Sequence, residues 1–146
     1  MLSNSCRYGI RAVIYLANQP SNAVKTGIRQ IAEDLDLPTP FLAKILQELV
    51  KQNILLSSKG PHGGFSLLKE PKKIRIIDIV RAIDGDEYLR DCVMHSSPCG
   101  GKKKNKKYCS LHDDYEKIRT ELIDLFGKRT IHDLVVRSGK SKLISI

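Results

Sequence analysis

The chain has 146 residues, 41% of them hydrophobic, and 25 Lys+Arg against 16 Asp+Glu give a formal charge of +9. That supplies one ordinary core and excludes a disordered or fibrous chain. No apolar run nears the roughly 20 residues that span a bilayer, and Met1-Leu2-Ser3-Asn4-Ser5-Cys6-Arg7 lacks the apolar centre of a signal peptide, so a cytoplasmic protein without membrane association is expected.

In chain order, a first helix is predicted from Asn4 to Asn18, with Ile10, Val13, Ile14 and Ala17 on one face and Pro20 beyond its end. A second, short helix carries Ile28, Ile31, Ala32 and Leu35 at the same repeat, with Thr26 or Gly27 as its cap and Gln30 placed to help. Leu37-Pro38 interrupts it. Thr39 then offers an N-cap oxygen and Pro40 occupies the first helical position. This third helix buries Leu42, Ile45, Leu46, Leu49 and Val50, which leaves Thr39, Phe41, Ala43, Lys44 and Gln47 on the opposite or flanking surface.

Two short helices across a tight break, after a longer one, is the tri-helical layout whose third helix can enter a major groove, although a plain helical hairpin shares the pattern. The next residues favour the former. Ile54-Leu55-Leu56-Ser57-Ser58 and Phe65-Ser66-Leu67-Leu68 read as strands joined by the turn formers Lys59-Gly60-Pro61-His62-Gly63-Gly64, which makes a hairpin wing exposing Lys59 and His62.

Ser5-Cys6-Arg7-Tyr8-Gly9-Ile10-Arg11-Ala12, the helix-turn-helix and Lys59-Gly60-Pro61-His62-Gly63-Gly64-Phe65 together resemble the family of bacterial winged helix-turn-helix transcription regulators that includes IscR, NsrR and CymR. The resemblance extends through Ile76-Ile77-Asp78-Ile79-Val80-Arg81-Ala82-Ile83-Asp84-Gly85, similar to the family's next helix, and Thr130-Ile131-His132-Asp133-Leu134, similar to its closing one. It implies a mainly α fold with a small β-hairpin wing and a long C-terminal dimerisation helix. It also implies sequence-specific binding of a double-stranded DNA operator. Lys59 stands where the family's wing usually has arginine, which keeps the charge but loses the bidentate fork. Ala43 departs from the polar or acidic residue of many members.

From Gly85 to Tyr108 no period is legible, and long irregular loops of this kind are usually functional. Cys92 and Cys99 lie in it and Cys109 at its edge, with His112 three residues on; thiolates and imidazole suit a soft or borderline metal. The order Cys, Cys, Cys-x-x-His resembles the iron–sulfur members of the family and implies a cluster, of the two-iron type, with His112 the first choice for the remaining position. The gaps here are six and nine residues, against shorter, equal gaps in IscR-like proteins. Arg7 stands where some relatives supply an acidic ligand from the partner's first helix. Zinc, thiol-based redox sensing and a cluster-free regulator controlled by a protein partner, as in CymR-like relatives, remain alternatives. His95 and Cys6 are further candidates; a solvated loop histidine and a buried structural cysteine are their plain readings. Lys102, Lys103, Lys104, Lys106 and Lys107 form a basic run within the loop, read as a solvated insert.

Leu111, Tyr115, Ile118, Leu122 and Leu125 recur at alternating intervals of four and three, the a/d seam of a coiled coil on a helix from Ser110 to Phe126. A homodimer through this seam is expected, the alternative being a helix that packs only on its own subunit. The expected organisation is a DNA-binding domain over residues 1–84, a cysteine-containing sensor loop over 85–109, dimerisation and closing helices over 110–137, and a tail over 138–146. No nucleotide-binding glycine loop or Ser/His/Asp constellation is legible, so no enzyme is expected.

Overall fold

The computed structural model describes residues 2–95, 98–99 and 108–138. The lysine run from Lys102 to Lys107 and the tail beyond Ser138 lie outside the described residues. The elements are α1 (Asn4–Ala17), α2 (Ile28–Leu35), α3 (Thr39–Lys51), β1 (Leu55–Ser58), β2 (Gly64–Leu67), α4 (Ile76–Asp84), α5 (His112–Lys128) and α6 (Ile131–Ser138), with single 3₁₀ turns at Pro71–Lys73 and Glu87–Leu89.

Helix α1 is the central element. Ser3 caps it, its hydroxyl accepting from the Cys6 N–H at 3.0 Å. Along its second half Ala12, Val13, Ile14, Tyr15 and Leu16 are all buried, which only a helix covered on several sides can satisfy. Gly9 permits the closest approach: a Cβ there would stand 2.3 Å from Ile83 Cδ1 of α4.

Of the two cap candidates for α2, Gly27 takes the position, because Thr26 exchanges backbone hydrogen bonds with Phe65 of the wing, each 2.9 Å. Gln30 reaches Asp34, at 3.0 Å, rather than the helix start. The helix closes through Asp36 in the left-handed region at φ 53°, with the Leu37 N–H returning to the Ala32 carbonyl at 2.9 Å.

Helix α3 begins one residue earlier than the Thr39 cap predicts. Pro40 has no N–H to offer, so the first donors are Phe41 and Leu42, and both reach the Pro38 carbonyl, at 3.1 and 3.0 Å. Pro38 is therefore the cap and Thr39 the first helical residue. The inward stripe Leu42, Ile45, Leu46 and Leu49 is buried, and Val50 packs partly buried against the same core. Each such leucine or isoleucine contributes about 1.5–3 kcal/mol through burial.

The hairpin pairs β1 with β2 antiparallel, Leu55 opposite Leu67 and Ser58 opposite Gly64. Beyond it Arg75 is the N-cap of α4, and its N–H donates to the Asp78 carboxylate at 3.0 Å. The chain end returns to this point: the Ile76 N–H meets the Arg129 carbonyl at 3.0 Å and the Ile131 N–H the Ile74 carbonyl at 2.8 Å. Thr130 caps α6, which buries Ile131 completely in the core of the first three helices.

Helix α5 has no fully buried residue. Ile123 and Phe126 lean on a second apolar cluster of Cys6, Ile76, Ile77, Val80 and Leu89, while Leu111, Ile118 and Leu125 are 45%, 63% and 48% exposed.

Candidate nucleic-acid interface and metal centre

The outer face of α3 presents Phe41, Lys44 and Gln47 to solvent, with Thr39 and Ala43 half-buried beside them. Lys59 and His62 are exposed at the wing. The Thr26–Phe65 bridge fastens the wing to the start of α2, so helix-turn-helix and wing are one hydrogen-bonded unit. Gly64 makes this docking possible, since it sits at φ +146° and a Cβ would lie 2.5 Å from the Thr26 carbonyl oxygen.

Two residues that sequence reasoning passed over join this face. Tyr8 meets Phe41 edge to face with ring centroids 5.7 Å apart, and Arg11 lies 5.7 Å from the Tyr8 centroid while donating to the Leu35 carbonyl at 3.3 Å. Tyr8 and Arg11 stand three apart on α1, which placed them together on one helix face but not against α3.

At the other end of the molecule the Sγ atoms of Cys92, Cys99 and Cys109 lie within 4.8 Å of one another, and Cys92 and Cys109 are 3.4 Å apart. Cys109 is held at the entrance of α5, its carbonyl accepting from the His112 N–H at 3.0 Å. Cys92 accepts from the Met94 N–H at 3.3 Å. Its thiol is pulled down to about 7, first by the hydrogen bond from Cys99 and then by the Met94 N–H, so Cys92 becomes a thiolate more readily than an ordinary cysteine. The Cys109 thiol is pushed up, chiefly because it donates to Cys92.

The donor set fits a soft metal or an iron–sulfur unit, since three converging sulfurs, one already acidic, supply the charge such a centre needs. His112 is not part of the group: its ring stacks on Tyr108, centroids 4.1 Å apart. His95 is exposed and also outside it. Cys6 is fully buried with Ile76, Ile77 and Val80, and burial, then the negative charge of Asp84, pushes its thiol up to about 12. That is a core side chain, not an exposed ligand.

Between the N-terminus of α1 and α5 runs an apolar groove of about 480 Å³, lined by Leu2, Leu89, Tyr115, Ile118, Leu122 and Phe126. Tyr115, Ile118 and Leu122 of the expected seam thus line this groove, and Leu111, Ile118 and Leu125 stand most exposed.

A tri-helical reader with a docked wing defines the winged helix-turn-helix class of DNA-binding folds. The model of the Rrf2 family, described as iron-dependent transcriptional regulator, matches residues 2–137, and the chain belongs to that family. It is 38% identical over 136 residues to a protein of Aquifex aeolicus named as an HTH-type transcriptional regulator, covering 92% of this chain and 91% of the relative. To the regulator NsrR of Bacillus licheniformis it is 27% identical over 148 residues, 99% of each chain. Among solved structures, CymR, the global cysteine regulator of B. subtilis, superposes with a TM-score of 0.77 at 22% identity, over 95% of this chain and 98% of that one. IscR of T. potens does so with 0.75 at 22%, over 99% and 93%. The protein is therefore a DNA-binding transcription regulator and not an enzyme. Among the described residues no helix is long and apolar enough to cross a membrane.

Proposed function

We propose that the protein is a cytoplasmic homodimeric regulator that reads its operator with Thr39, Phe41, Ala43, Lys44 and Gln47 of α3 and with Lys59 and His62 of the wing. Its DNA affinity answers to an iron–sulfur cluster, of the two-iron type, held by Cys92, Cys99 and Cys109. The observation that carries the sensing role is the convergence of three sulfurs from positions 92, 99 and 109 within 4.8 Å. When bound, such a centre supplies one-electron redox chemistry and lability toward oxidants.

The chain's own residues do the rest. The three thiolates would hold the centre, and His112 would supply its remaining ligand. Leu111, Tyr115, Ile118, Leu122 and Leu125 meet a second copy across a twofold axis, so two α3 helices address two half-sites. The cysteine loop lies between α4 and α5, and ordering it biases the angle between the two readers. Only a difference in cluster affinity between two arrangements can shift their populations.

The test is anaerobic purification with iron, sulfide and zinc analysis, repeated for serine at each of the three cysteines. Iron and sulfide in equal amounts, lost with any of the three, are expected. Tightly held zinc without sulfide replaces the cluster with a structural metal, an ion that three thiolates also suit. A colourless, metal-free protein that still binds its operator points to control by a protein partner.

A further inference from the structure

Arg119 lies on α5, yet its side chain is only 15% exposed. Its Nη1 donates to the backbone carbonyls of Arg90 at 2.7 Å and Asp91 at 3.2 Å, and its Nη2 donates to Glu116. The guanidinium carbon is 5.7 Å from the centre of the Tyr115 ring. Surface arginines on helices ordinarily keep their rotamer freedom in water. This one is turned inward.

The two carbonyls lie just past the 3₁₀ turn Glu87–Leu89, which the Arg90 and Asp91 N–H groups close by donating to the Glu87 carbonyl, and they immediately precede Cys92. Such terminal carbonyls lack helical partners, and a cation there satisfies them. Among the described residues these two are the only hydrogen bonds between α5 and residues 85–95. Cys109 is placed by the chain itself, one turn ahead of α5. Both sulfurs are thus referenced to the same helix, Cys109 through its backbone and Cys92 through Arg119, and they meet at 3.4 Å across seventeen residues of sequence.

We propose that Arg119 is a positioning residue for the cysteine site: by clamping the carbonyls of Arg90 and Asp91 to α5 it sets the approach of Cys92 to Cys109. It does so from the wall of the groove that Ile118 and Leu122 also line, which joins the cysteine site to the proposed dimer helix. The planar fork is what the task requires, because a lysine head cannot hold two successive carbonyls, meet Glu116 and lie against an aromatic ring at once. The role of the cysteines as ligands rests on the reading above; the clamp itself does not depend on a metal.

Phenylarsine oxide probes the clamp directly in a Cys99→Ser background. Arsenic forms one As–S bond to each of Cys92 and Cys109, and the oxide oxygen leaves as water with the two thiol protons. Cys6 does not compete, being 0% exposed. The second bond is intramolecular, so its strength follows the effective concentration of the second thiol, and Arg119→Met is expected to weaken arsenical binding about tenfold while helix content stays unchanged. Arg119→Lys should fall between. Binding equal to the parent's in Arg119→Met overturns the proposal, as does a parent that does not form the bridged adduct. Should Arg119→Met fail to fold, Arg119→Lys carries the test alone, and parent-like binding overturns it. Iron, sulfide and zinc contents of the wild type decide the metal reading separately.

Discussion

Tyr8 and Phe41 meet edge to face, 86° apart in plane, and this contact joins the first turn and a half of α1 to the outward face of α3. Phe41 is 37% exposed, so one side of its ring packs while the other faces solvent where DNA is proposed to lie. An aromatic pair of this geometry contributes about 0.5–1.5 kcal/mol beyond area burial. A double-mutant cycle with Tyr8→Ala and Phe41→Ala, read by thermal or denaturant unfolding, should return a coupling in that range. Phe41→Ala should also weaken operator binding; additive stability effects would show that the rings do not interact.

Lys59 is exposed at the wing and free to approach a phosphate. Lys59→Ala should lower affinity for specific and nonspecific duplexes alike and reduce the salt slope of log K by about 0.9. Fluorescence anisotropy across a salt series checks this. A change confined to the cognate operator would mean that Lys59 reads bases.

Tyr15 donates to Asp34 at 2.6 Å and so ties α1 to α2. Burial, then this bond, pushes the Tyr15 hydroxyl up to about 12 from its ordinary 10, and the bond holds Asp34 below the usual carboxylate range. The neutral tyrosine favours the folded state fully below pH 10, and that stability is lost as pH rises through about 12. The Asp34 contribution has the opposite sense, present above its ordinary 3.8 and lost as pH falls through its lowered value. Tyr15→Phe should therefore lower Tm at neutral pH and flatten its decline at both extremes. A parallel Tm profile for mutant and wild type would remove the pair from the account.

Gly64 combines φ +146° with a Thr26 carbonyl oxygen 2.5 Å from where a Cβ would stand. Gly64→Ala should cost about 1–3 kcal/mol through backbone strain and undock the wing from α2. Amide exchange should rise at Thr26 and Phe65, whose N–H groups form the bridge. Protection equal to wild type at those two amides would refute the docking.

Ile118 and Leu122 stand one turn apart on α5, the first 63% exposed and the second lining the groove. Replacing both with glutamate would bring like charges together in a desolvated contact across the proposed twofold axis. Monomer should accumulate in light scattering with the helical content kept. An unchanged dimer would move the interface elsewhere.

Local periodicity was enough to define α2, α3 and the long α5, because each repeats its apolar positions within its own length. The wing was equally legible, since Gly60 and Gly64 at positive φ mark a turn that few other residues allow. The three cysteines were visible as a set of donors, but not their meeting. Tertiary structure alone decided that Thr26 pairs with Phe65 instead of capping α2, that Ile131 returns to the core, that Cys6 is sealed among apolar side chains, and that Arg119 grips the carbonyls ahead of Cys92. These contacts join residues far apart in the chain, where no spacing rule operates. Arg119 and Arg90 are 29 residues apart, and only the packing of α5 beside the 3₁₀ turn brings guanidinium and carbonyl within hydrogen-bonding reach.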